Sequence, residues 1–206
     1  MRYFPIFLNI QGIPVLVVGG GKVALRKIRS LNESEAKVTV IAPAILSEIE
    51  ELPSVTCLKR PASIEDVTGG FRLIILATNQ PKLQEELSAG CKANGISYNR
   101  CDDPDDSDFV TGSVAYVSPI LAAFTSSGSP TLSRLVKKRF ENALEPALID
   151  LGNLLLEIRP LVKNKFPNYI DREKFFVKLV TESTVDRIRR EGIDCLRQEI
   201  FKCLLS

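Results

Sequence analysis

The stretch Val15-Leu-Val-Val-Gly-Gly-Gly-Lys-Val-Ala-Leu-Arg-Lys27 constrains the fold more than any other part of the chain. Residues 15–18 form a short apolar run, mostly β-branched, as expected of a strand buried on both faces. Gly19, Gly20 and Gly21 follow, and a helical pattern starts at once. Strand, glycine turn and helix, in that order, are the context in which a Gly-x-Gly-x-x-Ala string has meaning. Gly19 can turn sharply off the strand. Gly21 has no Cβ, so a pyrophosphate can approach the backbone there. Ala24 is small enough for the helix to pack close to the sheet. The free N–H groups and positive dipole end of that helix would then face the phosphates. The stretch therefore predicts a dinucleotide site. A tight strand-to-helix turn without a ligand would use the same residues.

Strand and helix patterns alternate from here to residue 99. Strands are expected at 13–18, 37–42, 55–58, 71–77 and 96–99, and helices from residue 22, at 45–52 and at 81–94. The first helix puts Ala24, Ile28 and Leu31 on one face and turns Arg26, Arg29 and Ser30 away. Residues 4–10 read as a short strand or an extended lead-in. This alternation predicts an α/β fold with an N-terminal Rossmann-like, doubly wound parallel sheet.

After Asn99 the pattern changes. Cys101-Asp-Asp-Pro-Asp-Asp-Ser-Asp108 is an acidic loop. Residues 109–110, 113–117 and 120–124 read as strands too closely spaced for helical crossovers, and so as antiparallel. Ser129 suits a helix N-cap and Pro130 the first helical position. That helix is expected to bury Leu132, Leu135, Val136, Phe140 and Ala143 and to expose Arg134, Lys137 and Lys138. From Leu151 onward the chain reads as helical, with breaks at Pro160, Pro167 and Gly192. The expected domains are 1–108 for dinucleotide binding, 109–145 as a short β/helix region suited to dimer contacts or substrate, and 146–206 as an all-helical domain.

Composition narrows the chemistry. The chain has 206 residues and no histidine, which removes histidine bases, His-based triads and the commonest zinc ligand sets. Acid–base work must fall to Asp, Glu, Lys, Tyr or Cys, and no dedicated metal site is visible. A net charge of +2 implies neither nucleic acid nor an anionic membrane as partner. The 5 cysteines (57, 91, 101, 195 and 203) include no Cys-x-x-Cys pair and read as reduced cytoplasmic thiols. The start, Arg2-Tyr-Phe-Pro-Ile-Phe-Leu8, lacks a small-x-small cleavage site. No run approaches the roughly 18 apolar residues of a membrane helix. A cytoplasmic protein is expected.

Asp102 is the sharpest chemical candidate. It lies just past the fifth strand, and ligands of open α/β sheets sit beyond the carboxyl ends of strands. A solvated acidic loop is the plain alternative. Thr78 and Asn79 close the fourth strand and border the expected nicotinamide side of the crevice. Thr125-Ser126-Ser127-Gly128 precedes a capped helix and is suited either to an anion or to an ordinary capping turn. Strand two ends in Val40-Ile41-Ala42-Pro43, with no acid for a ribose and no arginine for a 2′-phosphate.

Six segments together resemble one family. They are Pro5-Ile-Phe7, Val17-Val-Gly-Gly-Gly-Lys-Val-Ala-Leu-Arg-Lys27, Thr39-Val-Ile-Ala-Pro43, Ala77-Thr-Asn79, Asn99-Arg-Cys-Asp102 and Ser126-Ser-Gly-Ser-Pro-Thr-Leu-Ser-Arg134. In this order they resemble the precorrin-2 dehydrogenase/sirohydrochlorin ferrochelatase family, the dehydrogenase/chelatase module of siroheme synthases. The resemblance covers residues 1–145. It implies NAD-dependent oxidation of precorrin-2 to sirohydrochlorin, insertion of ferrous iron as a further substrate in some members, and a homodimer joined through the β region. Nucleotide contacts carry over to Gly21, Lys22 and Val23 and to Pro43 and Ala44. The family's catalytic aspartate falls on Asp102, beside Asp103, and its serine on Ser126. Here the serine-glycine segment is one residue shorter than the family pattern, with Ser127 in place of a glycine. The substrate's carboxylates would meet Arg134, Lys138 or the N–H groups at Ser129. A non-catalytic NAD-binding sensor module is the alternative of a different class. A short-chain-type reductase is disfavoured, because Tyr3, Tyr98, Tyr116 and Tyr169 each lack a lysine four positions on.

Overall fold

In the computed structural model, which describes residues 3–126 and 128–205, Pro14–Val18 forms β1. Its side chains alternate between two cores. Val15 and Val17 join one cluster, and Leu16 and Val18 the other. β2 (Lys37–Ile41), β3 (Val55–Leu58), β4 (Leu73–Leu76) and β5 (Ser97–Arg100) complete a parallel sheet ordered β3-β2-β1-β4-β5. α1 (Lys22–Glu33) and α2 (Ser47–Glu50) cover one face through Ala24, Ile28, Leu31 and Ile49. A 3₁₀ turn at Ile64–Thr68 and α3 (Pro81–Ala93) cover the other through Val67, Leu87 and Cys91. The Rossmann-like sheet expected from the sequence is the one that forms. The chain leaves β3 and returns on the far side of β1, so a crevice opens at the carboxyl ends of β1 and β4.

β5 is an edge strand, and edges left bare invite unwanted pairing. The acidic loop fills this one. The Tyr98 N–H donates to Asp108 Oδ2 at 3.2 Å, and the Asp108 N–H donates back to the Tyr98 carbonyl at 3.0 Å. The Arg100 N–H donates to Ser107 Oγ at 2.9 Å, and Asn99 Nδ2 to the Phe109 carbonyl at 2.9 Å. Residues 109–110 thus end the loop rather than form the expected strand. Residues 4–10 pair with no strand, and Phe4, Ile6, Phe7 and Leu8 are exposed.

Two compact units divide the chain, 1–110 and 111–206. The second begins with an antiparallel hairpin, β6 (Ser113–Val117) and β7 (Ile120–Phe124), as the close spacing predicts. α4 (Pro130–Ala143) packs on it, with Phe140 and Phe124 ring centroids 5.3 Å apart and Ser133 buried. The expected apolar face of α4 is corrected here. Leu132, Leu135 and Val136 are 49%, 49% and 40% exposed, because the hairpin takes the Ser133–Phe140 side.

α5 (Pro146–Lys165), α6 (Tyr169–Leu179), α7 (Glu182–Glu191) and α8 (Ile193–Leu205) follow. Leu151, Leu154, Ile158 and Val162 of α5 meet Val185, Ile188, Leu196, Ile200 and Leu204 in one core. The expected break at Pro160 does not occur, and α5 runs through it. A proline inside a helix costs about 3 kcal/mol. The buried stripe continues on both sides of Pro160, and each such side chain gains roughly 1.5–3 kcal/mol on burial. The breaks at Pro167 and Gly192 do occur. No helix among the described residues is long and apolar enough to cross a membrane.

Candidate functional site

The three glycines do different work. Gly19 sits at φ +123°, and a Cβ there would collide with the Ala77 carbonyl, so the ends of β1 and β4 can approach only at a glycine. The Ala77 N–H donates to the Val18 carbonyl at 2.7 Å across the same junction. A Cβ on Gly20 would collide with the Ala44 carbonyl, while the Leu46 N–H donates to the Gly20 carbonyl at 3.0 Å. Gly20 and Ala44 are thus packing partners. Gly21 differs, because a Cβ there would meet nothing within 4 Å. It is the N-cap residue of α1, and no side chain caps the helix. Lys22 and Val23 are exposed beside it, whereas the Ala24 side chain is fully buried and packs α1 on the sheet. This cradle, open above an uncapped helix start, fits a pyrophosphate.

Gly19, Pro43 and Thr78 meet in one cleft of about 110 Å³, walled further by Val18, Ile41, Ala42, Pro61, Ala62, Gln80 and Leu83. Its walls are mainly apolar, and no charged side chain lines it. Arg60, next to the cleft residue Pro61, is committed to Asp66 by bonds of 2.8 and 2.5 Å. Gln84, almost fully buried on α3, braces the cleft from behind by donating from Nε2 to the Thr78 carbonyl at 3.0 Å. Asn79 is exposed and is not part of the cleft lining.

Asp102 lies two residues past β5, at the same carboxyl edge of the sheet. Arg100 Nε and Nη2 donate to its two oxygens at 3.2 and 2.9 Å. The third arm, Nη1, donates to Asp106 at 2.9 Å. Asp106 also accepts from Lys92 at 2.6 Å, Tyr98 Oη at 2.6 Å and Ser88 Oγ at 3.1 Å. Asp103, the neighbour easily confused with Asp102, turns its Oδ1 to the loop's own Asp105 and Asp106 N–H groups at 3.0 and 3.3 Å. The acidic run is therefore an ordered loop, with Asp106 committed to Arg100, Lys92, Tyr98 and Ser88 while Asp102, Asp105 and Asp108 stay exposed.

Arg100, followed by burial acting the other way, sets the Asp102 carboxyl below the usual carboxylate range. Lys92, then Tyr98, holds Asp106 below it as well. Asp102 is ionised at neutral pH. Burial pushes the Cys91 thiol up to about 11 and raises Cys101 too, which favours the protonated thiol over the thiolate. Burial also raises Tyr98 and lowers Lys27.

Ser126 lies in the second unit. Its Oγ bonds to the Ser129 carbonyl and lies 2.9 Å from Ser133 Oγ, while the Leu132 N–H donates to Ser129 Oγ at 3.3 Å. Ser126 thus buckles the first turn of α4. Ser127, part of the expected anion-holding turn, lies outside the described residues. Arg134 and Lys138 are exposed on α4. Among the described residues no group of three or more Cys, Asp or Glu is placed to hold a metal ion.

The sequence pointed to Asp102 but not to Arg100 or Asp106. A cue existed: Tyr98 and Arg100 are two apart on one strand and so share a face. The cleft residues Pro61, Ala62, Gln80 and Leu83 carried no local cue, since two separate segments supply them and two more complete the lining.

The family described as putative NAD(P)-binding matches residues 6–113. A siroheme synthase of Ectopseudomonas mendocina is 37% identical over 179 residues, which are 85% of this chain and 38% of that protein. A siroheme synthase of Thioalkalivibrio sulfidiphilus is 33% identical over 207 residues, 99% of this chain and 42% of that protein. The chain thus spans about two fifths of the length of these curated relatives. The solved structure of SirC, precorrin-2 dehydrogenase, shares the fold with a TM-score of 0.79 over 98% of each chain at 18% identity. The chain belongs to the family described as putative NAD(P)-binding, and nearly its whole length is similar to part of the siroheme synthases.

Proposed function

We propose that the chain oxidises precorrin-2 to sirohydrochlorin with NAD as hydride acceptor. One observation carries this reading. The open Gly21 cradle and the ionised, accessible Asp102 lie at the same carboxyl edge of one sheet. Gly21, Lys22 and Val23 would hold the pyrophosphate through the start of α1, and the apolar cleft beside Gly19, Pro43 and Thr78 would take the adenosine half. Asn79, exposed just past β4, would face the nicotinamide half. Bound NAD supplies the hydride-accepting ring. NAD is favoured over NADP because no basic side chain lines the cleft to meet a 2′-phosphate and Arg60 is already paired.

Oxidation of the macrocycle removes a hydride and a proton. Asp102 takes the proton or fixes a ring N–H, and its ionised state suits either role. Ser126 and the exposed Arg134 and Lys138 of the second unit suit carboxylates by their chemistry. Insertion of ferrous iron as a second substrate would call on the same carboxylate to take pyrrole protons. We further propose a homodimer formed through Val114, Tyr116, Leu121, Leu132, Leu135 and Val136. Val114, Tyr116 and Leu121 share one exposed hairpin face, Leu132, Leu135 and Val136 share the α4 face turned away from the hairpin, and a second copy of the chain would cover them.

Anaerobic turnover of precorrin-2 with NAD, followed by NADH absorbance, tests the function. Production of NADH by the wild type and a loss of at least about 100-fold in Asp102→Ala is the expected result. Wild-type turnover in Asp102→Ala would remove Asp102 from the chemistry. NAD binding without any turnover would favour the sensor reading. Adding ferrous or cobalt ion to protein and sirohydrochlorin, and watching the macrocycle spectrum shift, decides metal insertion.

A further inference from the structure

We propose that Arg100 is a positioning residue for Asp102, a clasp that fixes the orientation and charge of the carboxylate presented to substrate. The proposal rests on the dehydrogenase function put forward above.

The clasp is asymmetric in exposure. The Arg100 side chain is 8% exposed, and the Asp102 side chain is 37% exposed. A buried guanidinium therefore holds a carboxylate that solvent, and hence a ligand, can still reach. The contact is bidentate, at 3.2 and 2.9 Å, so it fixes the plane of the carboxylate as well as its place. Arg100 is itself held. Its remaining arm reaches Asp106, which Lys92 and Ser88 of α3 and Tyr98 of β5 anchor in turn. Asp102 is thus tied through one guanidinium to a helix and a strand, though it sits on a loop.

The charged and titratable groups around the pair are few. α3 brings Lys92, β5 brings Tyr98, and the loop brings Asp103 and Asp106. From α1, Lys27 and Arg26 act on the neighbouring Cys101. A purely structural staple would need only the Arg100–Asp106 contact. The second fork, spent on a half-exposed carboxylate at the site edge, is what a positioning role adds. Lysine would keep the charge and lose the fork.

The test compares Arg100→Lys and Arg100→Gln with wild type in precorrin-2 oxidation across pH. Both variants are expected to lose about tenfold to 100-fold in kcat with little change in the KM for NAD. In Arg100→Gln the acid limb of the kcat profile moves to higher pH. The Asp102 carboxyl resonance, followed by NMR in protein labelled at aspartate carboxyl carbons and assigned with Asp102→Asn, moves with it. In an Asp102→Asn background, Arg100→Gln lowers kcat no further. Wild-type kcat in Arg100→Lys overturns the proposal, as does an equal loss from Arg100→Gln with and without the Asp102 carboxylate. If Arg100→Gln does not fold, Arg100→Lys and its carboxyl titration decide alone. A wild type that binds NAD and never oxidises precorrin-2 overturns the function itself, and the catalytic sense of the clasp with it.

Discussion

Three consecutive glycines read alike, yet their neighbours give them separate duties. Gly19 and Gly20 are filled in by Ala77 and Ala44, and only Gly21 opens outward. Gly19→Ala is therefore expected to destabilise the fold by about 1–3 kcal/mol, since alanine would have to adopt a left-handed backbone against a carbonyl. Thermal or denaturant unfolding measures this. Gly21→Ala has room and an extended backbone, so its stability should stay within about 1 kcal/mol of wild type. Its NAD dissociation constant, by calorimetry, should rise at least about tenfold, because the new methyl fills the phosphate cradle. Unchanged NAD affinity in Gly21→Ala would move the pyrophosphate elsewhere.

At the scale of elements, the acidic loop doubles as the missing sixth neighbour of the sheet. Ser107 and Asp108 satisfy the free edge of β5, Phe109 takes the Asn99 side chain, and Asp106 ties the loop to α3. Asp106→Asn removes the charge that Lys92, Arg100 and Tyr98 share, and is expected to cost about 1–3 kcal/mol at pH 7. The folded carboxyls of Asp102 and Asp106 are depressed, so the unfolded chain binds protons at higher pH than the folded one. Their contribution is complete at neutral pH. It fades as the pH falls through the ordinary carboxylate range and below, between roughly pH 5 and 1. Urea midpoints measured down this range should fall less steeply in Asp106→Asn than in wild type; parallel curves would assign the acid sensitivity to other groups.

For the whole molecule, the exposed face of α4 is the feature to explain. Leu135→Asp, on that face and away from the hairpin core, should leave circular dichroism unchanged and convert a sedimenting dimer to monomer. A wild type that sediments as a monomer would refute the dimer directly. The dimer and the function are separate claims, and each measurement reaches only one of them.

The α/β fold was legible because its cues are local. A buried apolar run, glycines and a helical period lie side by side in residues 15–31, and β3, β6 and β7 fall where the apolar runs and turns place them. The position of Asp102 past β5 followed from the same topology. What the sequence left open depends on residues far apart in the chain. Ser88 finds Asp106 across 18 positions, and Arg100 chooses two carboxylates from an acidic run that offers five. Pro160 stays inside α5 because distant helices bury the stripe around it, and α4 turns its leucines outward because the hairpin claims the opposite side. Local pattern determined which elements form and where the glycine turn lies. Only the packed structure decided which partner each charge takes and which helix face is covered, because those energies exist only once separate segments meet.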